Sequence, residues 1–263
     1  RRSRTINVAT FHAKLPETFV SKAIEKAALP YAKSSLKYLA VLTAVSDAAA
    51  EFIKSMTNRP IEIVPNGIDL SKYTKTSKPV GSGRTILYVG RLEKRKGTKY
   101  LIDAYAQLAS EDHNLRLVIA GNGPDRQKLE RYVARLKIPR VEFLGYVEEN
   151  KKLKLLSQAD VFCSPALYGE SFGIVLLEAM ASGTVTVAGN NPGYASVLKG
   201  QGAVSLVDPR NISEFSDKMS ALLNDQELRR RWLNWAKNYV VQFDYDKIVD
   251  QYETVYKKAL ARS

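Results

Sequence analysis

The chain has 263 residues, with 40 Lys and Arg against 27 Asp and Glu, a formal charge of +13, and 45% hydrophobic residues. That composition excludes wholesale disorder and supplies apolar mass for one large domain or two modest ones. The single cysteine, Cys163, excludes a disulfide scaffold, and the longest mainly apolar run, Tyr38 to Val45, is far shorter than the ~20 residues a membrane-spanning helix needs. A pI near 9.6 favours anionic partners: phosphate-bearing ligands, nucleic acid or an anionic membrane surface.

In chain order, Ile6 to Phe11 reads as a strand, and a long, partly helical region runs from Thr18 to about Tyr38. Leu39 to Ala44 is a strand, Asp47 to Met56 a helix and Ile61 to Val64 a strand. The polar, aperiodic stretch Ser71 to Gly83 reads as a linker. From Arg84 onward the pattern alternates: strand Thr85 to Val89, helix Thr98 to Ala109, strand Leu115 to Ala120, helix Asp125 to Lys137, strand Val141 to Leu144, helix Lys151 to Gln158, strand Ala159 to Ser164, helix Ile174 to Ala181, strand Thr184 to Ala188, helix Ile212 to Leu223. Leu228 to Leu260 reads as almost entirely helical and rich in aromatic residues. Regular alternation of strand and helix predicts an α/β fold with a doubly wound, Rossmann-like parallel sheet, whose ligands sit at the carboxyl ends of its strands. The first part holds too few strands for a complete domain of that kind.

Four loops carry candidate chemistry. Pro65-Asn-Gly-Ile-Asp69 and Gly121-Asn-Gly-Pro124 are turns first, the second also a place where backbone can approach a ligand closely. Gly90-Arg-Leu-Glu-Lys-Arg-Lys-Gly97 follows a strand; its cations can hold a pyrophosphate, though a basic loop is also an ordinary solvated surface. Gly169-Glu-Ser-Phe-Gly-Ile-Val-Leu-Leu-Glu178 leads into an apolar helix, and the backbone amides of Ser171 to Ile174 read as the open N-terminus of that helix, a natural anion site. Glu170 stands before that site, where a carboxylate suits paired sugar hydroxyls. Glu178, about two turns into the apolar helix, needs a polar partner, and ribose hydroxyls would serve.

In this order, with Glu178-Ala-Met-Ala-x-Gly183 closing the last of them, these motifs resemble the retaining glycosyltransferases of family four, which have the GT-B fold of two facing Rossmann-like domains. Within the family the likeness is nearest to the phosphatidylinositol mannosyltransferase type, through Val8-Ala-Thr-Phe-His12, Ala159-Asp-Val-Phe-Cys163 and Gly169 to Ala181. The resemblance implies that Arg91 and Lys96 hold the donor's diphosphate, helped by backbone near Gly90, Gly121, Ser171, Phe172, Gly173 and Ile174. It implies that Glu170 binds the donor sugar, that Glu178 binds the ribose, and that the loop Tyr146 to Glu149, with Val147 and with Lys152, edges the base. His12 approaches the transferred sugar from the other domain. The mannosyltransferase loop is one residue longer, so Arg95 stands as a substitute for Lys96.

The resemblance further implies three divisions: 1–75, part of an acceptor-side Rossmann-like domain; 76–243, the nucleotide-sugar domain; and 244–263, a helix returning to the first. No metal-site motif or cofactor is implied, since the nucleotide sugar is itself the donor substrate. The expected donor is GDP-mannose, with a UDP-sugar as alternative, and the expected acceptor a lipid or glycan. The first 80 residues carry 13 basic and 6 acidic side chains, which suits an anionic membrane or equally a plain basic surface. The expected location is cytoplasmic, peripheral on the membrane. A nucleotide-sugar-binding module without transfer activity remains a second reading. Nucleic acid is not an expected partner, because the cations are spread along the chain without a recognised motif.

Overall fold

Short β-branched runs followed by amphipathic helices build two parallel sheets in this chain. A computed structural model describes residues 6–12, 30, 31, 33–73 and 83–261. The smaller sheet has β1 (Val8–Phe11), β2 (Val41–Ala44) and β3 (Ile61–Ile63), in that order and all parallel. Every residue of the central strand β2 is buried. Ser46 then caps helix α1 (Asp47–Lys54): its side-chain oxygen accepts the Ala49 amide at 3.0 Å, satisfying a donor the helix cannot pair itself. Ala49, Ala50 and Ile53 turn to the core. The helical region expected from Thr18 to Tyr38 lies mostly outside the described residues; residues 33–36 are helical.

The larger sheet has six parallel strands in the order β6-β5-β4-β7-β8-β9. They are β4 (Arg84–Val89), β5 (Leu115–Ala120), β6 (Val141–Gly145), β7 (Val161–Ser164), β8 (Val185–Gly189) and β9 (Leu206–Val207). The connecting helices are α2 (Thr98–Glu111), α3 (Arg126–Arg135), α4 (Glu149–Gln158), α5 (Ile174–Ala181), α6 (Pro192–Val197) and α7 (Ile212–Asn224). The chain leaves β4 toward β6, then returns to the other side of β4 with β7. Strand order therefore reverses between β4 and β7, and the loops after these two strands open a crevice there.

Three features depart from the sequence reading. α6, a 3-10 segment at Gly200–Ser205 and β9 were not expected. Each is too short to show a period, although Asn191 accepting the Tyr194 amide at 3.1 Å, with Pro192 at the first helical position, is a local start signal. The almost entirely helical stretch Leu228 to Leu260 divides into α8 (Gln226–Val240) and α9 (Tyr245–Ala261), separated at Val241 to Asp244. The break has a cause: Ile68 donates its amide to Phe243 O at 2.8 Å and accepts that of Tyr245 at 3.1 Å, which the i to i−4 ladder of a helix would forbid. Of the expected linker, Leu70–Lys72 form a 3-10 turn and residues 74–82 lie outside the described residues.

Packing joins the two sheets. α1 rests against α6, and Ser46 donates its hydroxyl to Ser171 O. From α9, Ile248, Val255 and Ala259 bury with Val41 and Val64, and Lys258 pairs with Glu62 at 3.0 Å. The aromatic face of α8 is core: Trp232 is buried and its indole N–H donates to Ser205 Oγ at 2.7 Å.

Candidate functional site

The site gathers at the reversal point, where the loop after β4 is held as a fixed shape. Leu92 is fully buried, donates its amide to Asn122 O at 2.9 Å and accepts that of Asp125 at 3.0 Å. Tyr88, itself buried, donates its hydroxyl to Arg91 O at 2.9 Å. Gly121 lies at φ +149°, and a Cβ there would stand 1.8 Å from Gly90 O, so only glycine allows the two loops this close. After Leu92 the chain makes a 3-10 turn over Lys94–Lys96, which aims Arg95 and Lys96 the same way.

Both meet one carboxylate. Arg95 Nη1 lies 2.6 Å and Lys96 Nζ 2.8 Å from the same oxygen, Oε1, of Glu170. The Glu170 side chain is only 14% exposed. Arg95 Nε also reaches Glu93 Oε1 at 2.7 Å. Partial burial alone lowers the Arg95 pKa, but the Glu170 charge and hydrogen bond, joined by Glu93, hold it above its ordinary value. Arg91 does not pair with Glu170: its side chain is 69% exposed and joins the group only through Glu93, at 3.5 Å. The structure thus brings Arg95 and Lys96 together on Glu170; the sequence reading paired Arg91 with Lys96 and had Arg95 as the substitute for Lys96.

Eight residues on, Glu178 is buried in α5. It is the fifth residue of that helix, just past one turn rather than two. The polar partner that a buried carboxylate requires is internal: Lys152 Nζ donates at 2.8 Å and the Tyr73 hydroxyl at 3.2 Å, both to Oε1. Lys152 also pairs with Glu149 at 3.0 Å. Burial lowers the Lys152 pKa and the Glu178 bond and charge more than reverse this, leaving it above 10.5. Tyr73 moves up as well, through burial first and the Glu178 charge second. Val147 is half-buried just before α4, beside the exposed Tyr146.

The helix start is also shifted. α5 begins at Ile174 with Gly173 as its cap, so Ser171 and Phe172 belong to the loop, and the helix's open amides begin at Ile174. Gly173 lies at φ +110°, and a Cβ there would be 2.7 Å from the Tyr194 ring. Phe172 is buried edge-to-face on Phe243, 5.9 Å between centroids. His12 follows the end of β1 and is exposed; among the described residues it makes no hydrogen bond or ion pair with Arg95, Lys96 or Glu170. Cys163 is fully buried, and burial pushes its thiol far up, which makes it inert as a nucleophile. No group of three or more His, Cys, Asp or Glu among the described residues is placed to hold a metal ion.

Sequence reasoning missed Glu93, Tyr73 and Ser46. Tyr73 is 105 positions from Glu178 and Ser46 is 125 from Ser171, and neither carries a local signal. Glu93 stood in view within the basic loop, as the one acid among its cations.

Over residues 72–239 the chain matches the family Glycosyl transferases group 1. It is 31% identical over 255 residues to the phosphatidyl-myo-inositol mannosyltransferase of Mycobacterium leprae, covering 95% of this chain and 66% of that protein. It is 35% identical over 233 residues to an uncharacterized glycosyltransferase of Methanocaldococcus jannaschii, covering 82% of this chain and 59% of that one. The chain thus spans about two thirds or less of the length of these relatives. Among solved structures, Anabaena HepE in complex with UDP-glucose superposes with a TM-score of 0.82 at 22% identity, over 97% of this chain and 73% of that one. Sucrose-phosphate synthase from Thermosynechococcus elongatus gives 0.81 at 22% identity, over 97% and 68%. The chain belongs to the group 1 glycosyltransferases and has their GT-B fold.

Proposed function

We propose that this protein is a retaining hexosyltransferase that moves mannose from GDP-mannose to a hydroxyl of a phosphatidylinositol-type lipid at an anionic membrane surface. The observation that supports it most is the convergence of Arg95 and Lys96 on Glu170 at the reversal point of the sheet, eight positions before Glu178 of the Lys152–Glu178–Tyr73 group. Two cations on a fixed loop suit a diphosphate, the one strongly anionic part of a nucleotide sugar. In this reading residues 76–243 hold the donor, 1–75 belong to the acceptor side, and 244–263 tie the two together. The close backbone at Gly90 and Gly121 lets the donor lie against the loops, and the amides from Ile174 add donors to its phosphates.

The proposed chemistry needs no protein nucleophile. The glycosidic oxygen of the leaving diphosphate takes the proton of the acceptor hydroxyl as the hydroxyl bonds to the anomeric carbon on the same face. Charge builds on the departing diphosphate, and Arg95 and Lys96 stabilise it there. Glu170, released from those cations when the diphosphate binds, accepts hydrogen bonds from the sugar. Glu178 orients the ribose from its fixed place, the Val147 and Lys152 region borders the base, and His12 faces the sugar from the acceptor side. The likeness to mannosyltransferases named for phosphatidyl-myo-inositol supports mannose as the sugar and a phosphatidylinositol-type acceptor. No helix among the described residues is long and apolar enough to cross a membrane, and the basic first part suits peripheral attachment.

The test is calorimetric titration with GDP-mannose and UDP-glucose, followed by transfer from the tighter donor to phosphatidylinositol in vesicles. Tighter binding of GDP-mannose with mannosyl transfer is the expected result. Tighter UDP-glucose binding would overturn the donor assignment, and donor binding without transfer would overturn the acceptor assignment.

A further inference from the structure

On another side of the basic loop, a cavity of about 550 Å³ lies between the first turn of α2 and the outer face of α3. Five cations line it, Lys94, Lys99, Lys128, Arg131 and Arg135, against the carboxylates of Glu93 and Asp125. Two of the five are fixed on one aromatic floor. Lys99 Nζ stands 4.6 Å from the Tyr132 ring centroid and 2.6 Å from Asp103, and the Arg135 guanidinium stands 5.4 Å from the same ring. Tyr132 is itself held, its hydroxyl donating to Asp103 at 2.6 Å. The other three, Lys94, Lys128 and Arg131, meet no carboxylate within ion-pair reach among the described residues. The 14-residue helix α2 begins in this wall at Thr98, so its first-turn amides add to the positive field.

Like charges around a concave wall concentrate counter-anions, and a volume of this size fits a small ligand rather than a single ion. We infer that this cavity is a second anion site, distinct from the donor crevice, that takes a ligand bearing two or more phosphate groups. It borders the donor loop through Glu93, Lys94 and Gly97, and Glu93 lines the cavity while its carboxylate holds Arg95 at 2.7 Å. The phosphates come from a soluble phosphorylated compound or from a lipid headgroup, and the two sources separate in the test.

The test compares the protein with the double variant K128E/R131E, changed on the exposed face of α3, and with K237E/K247E, which carries the same charge change on α8 and α9. Each is titrated with inorganic tripolyphosphate, and each is sedimented with phosphatidylcholine vesicles with or without phosphatidylinositol phosphate. GDP and UDP titrations of the same three proteins report the donor crevice separately. The expected result is a loss of about tenfold or more for K128E/R131E in one arm, with K237E/K247E unchanged and nucleotide binding equal in all three. A loss confined to tripolyphosphate assigns a soluble ligand; a loss confined to vesicles assigns a headgroup. Equal binding by K128E/R131E and the unaltered protein, or an equal loss in K237E/K247E, would overturn the inference.

Discussion

Glu170 and Glu178 are two carboxylates on one short stretch of chain, each bound to a cation through its Oε1, yet they are held in opposite ways. Glu170 sits in a loop and is paired by Arg95 and Lys96, which come from another loop; Arg95 is anchored further only by Glu93 and by the Gly169 carbonyl at 3.3 Å among the described residues. Glu178 sits within α5 and is paired by Lys152 from α4 and by Tyr73 at the edge of the linker. Under the proposed function the cations on Glu170 hold the donor's diphosphate, and that pairing opens when a donor binds. The partners of Glu178, Lys152 and Tyr73, tie α4 and the linker edge to α5, so that pairing can persist. The difference teaches that a carboxylate–cation pair can be either exchangeable for a ligand or a strut, and that the partners decide which.

The largest expected effect falls on the exchangeable side. R95A and K96A should each weaken nucleoside-diphosphate binding by about 1.5–3 kcal/mol, roughly 10- to 150-fold. R91A, whose side chain is mostly in solvent, should change it by less than about threefold. Calorimetry on the three variants breaks the comparison if R91A loses as much as the other two. Next comes the strut. E178Q leaves Lys152 with only the more exposed Glu149, and should cost about 1–3 kcal/mol of stability. E170Q, beside two cations that keep Glu93 or solvent, should cost much less. Thermal or urea unfolding distinguishes them, and equal losses would make Glu170 a strut too.

A smaller effect sharpens the same point. Y73F removes one long hydrogen bond, 3.2 Å, and should cost about 0.5–1.5 kcal/mol; in an E178Q background most of that should vanish, since the two residues act as a pair. Full additivity in the double-mutant cycle would separate Tyr73 from Glu178. The smallest effect is with pH. Lys152 and Tyr73 both have folded-state pKa values above their ordinary 10.5 and 10.0, so their contribution is fully present below about pH 10 and is lost only as pH rises through the raised values. Unfolding midpoints should therefore fall above pH 10 in the unaltered protein and fall less in Y73F. A decline already complete by pH 9 would contradict this.

Much of the fold is legible in the sequence because each βα unit carries its own period. Val185 to Gly189 is a short run buried throughout, and Thr98 to Glu111 shows one apolar face, Leu101, Ile102, Tyr105 and Leu108. What escapes is set by distance or by small rotations. Whether Arg91 or Arg95 meets Glu170 depends on the 3-10 turn at Lys94–Lys96, which residue types alone do not specify. The break at Val241 to Asp244 depends on the backbone of Ile68, more than 170 positions earlier. Glu178 was visible as a carboxylate in need of a partner, but its internal partners were not, because Lys152 and Tyr73 reach it only once α4, α5 and the linker edge are folded together.

The central claim is that Glu170 holds the cations that a donor diphosphate takes over. Titration of E170Q with a nucleoside diphosphate and with the intact sugar nucleotide tests it most directly. Removing the charge removes a competitor for Arg95 and Lys96 and also a partner for the sugar hydroxyls, while the amide keeps the size of the acid. The account predicts that the nucleoside diphosphate binds E170Q as tightly as the unaltered protein or more tightly, while the sugar nucleotide loses the extra affinity its sugar supplies. Equal weakening of both ligands would contradict it and leave Glu170 as a fixed prop of the loop.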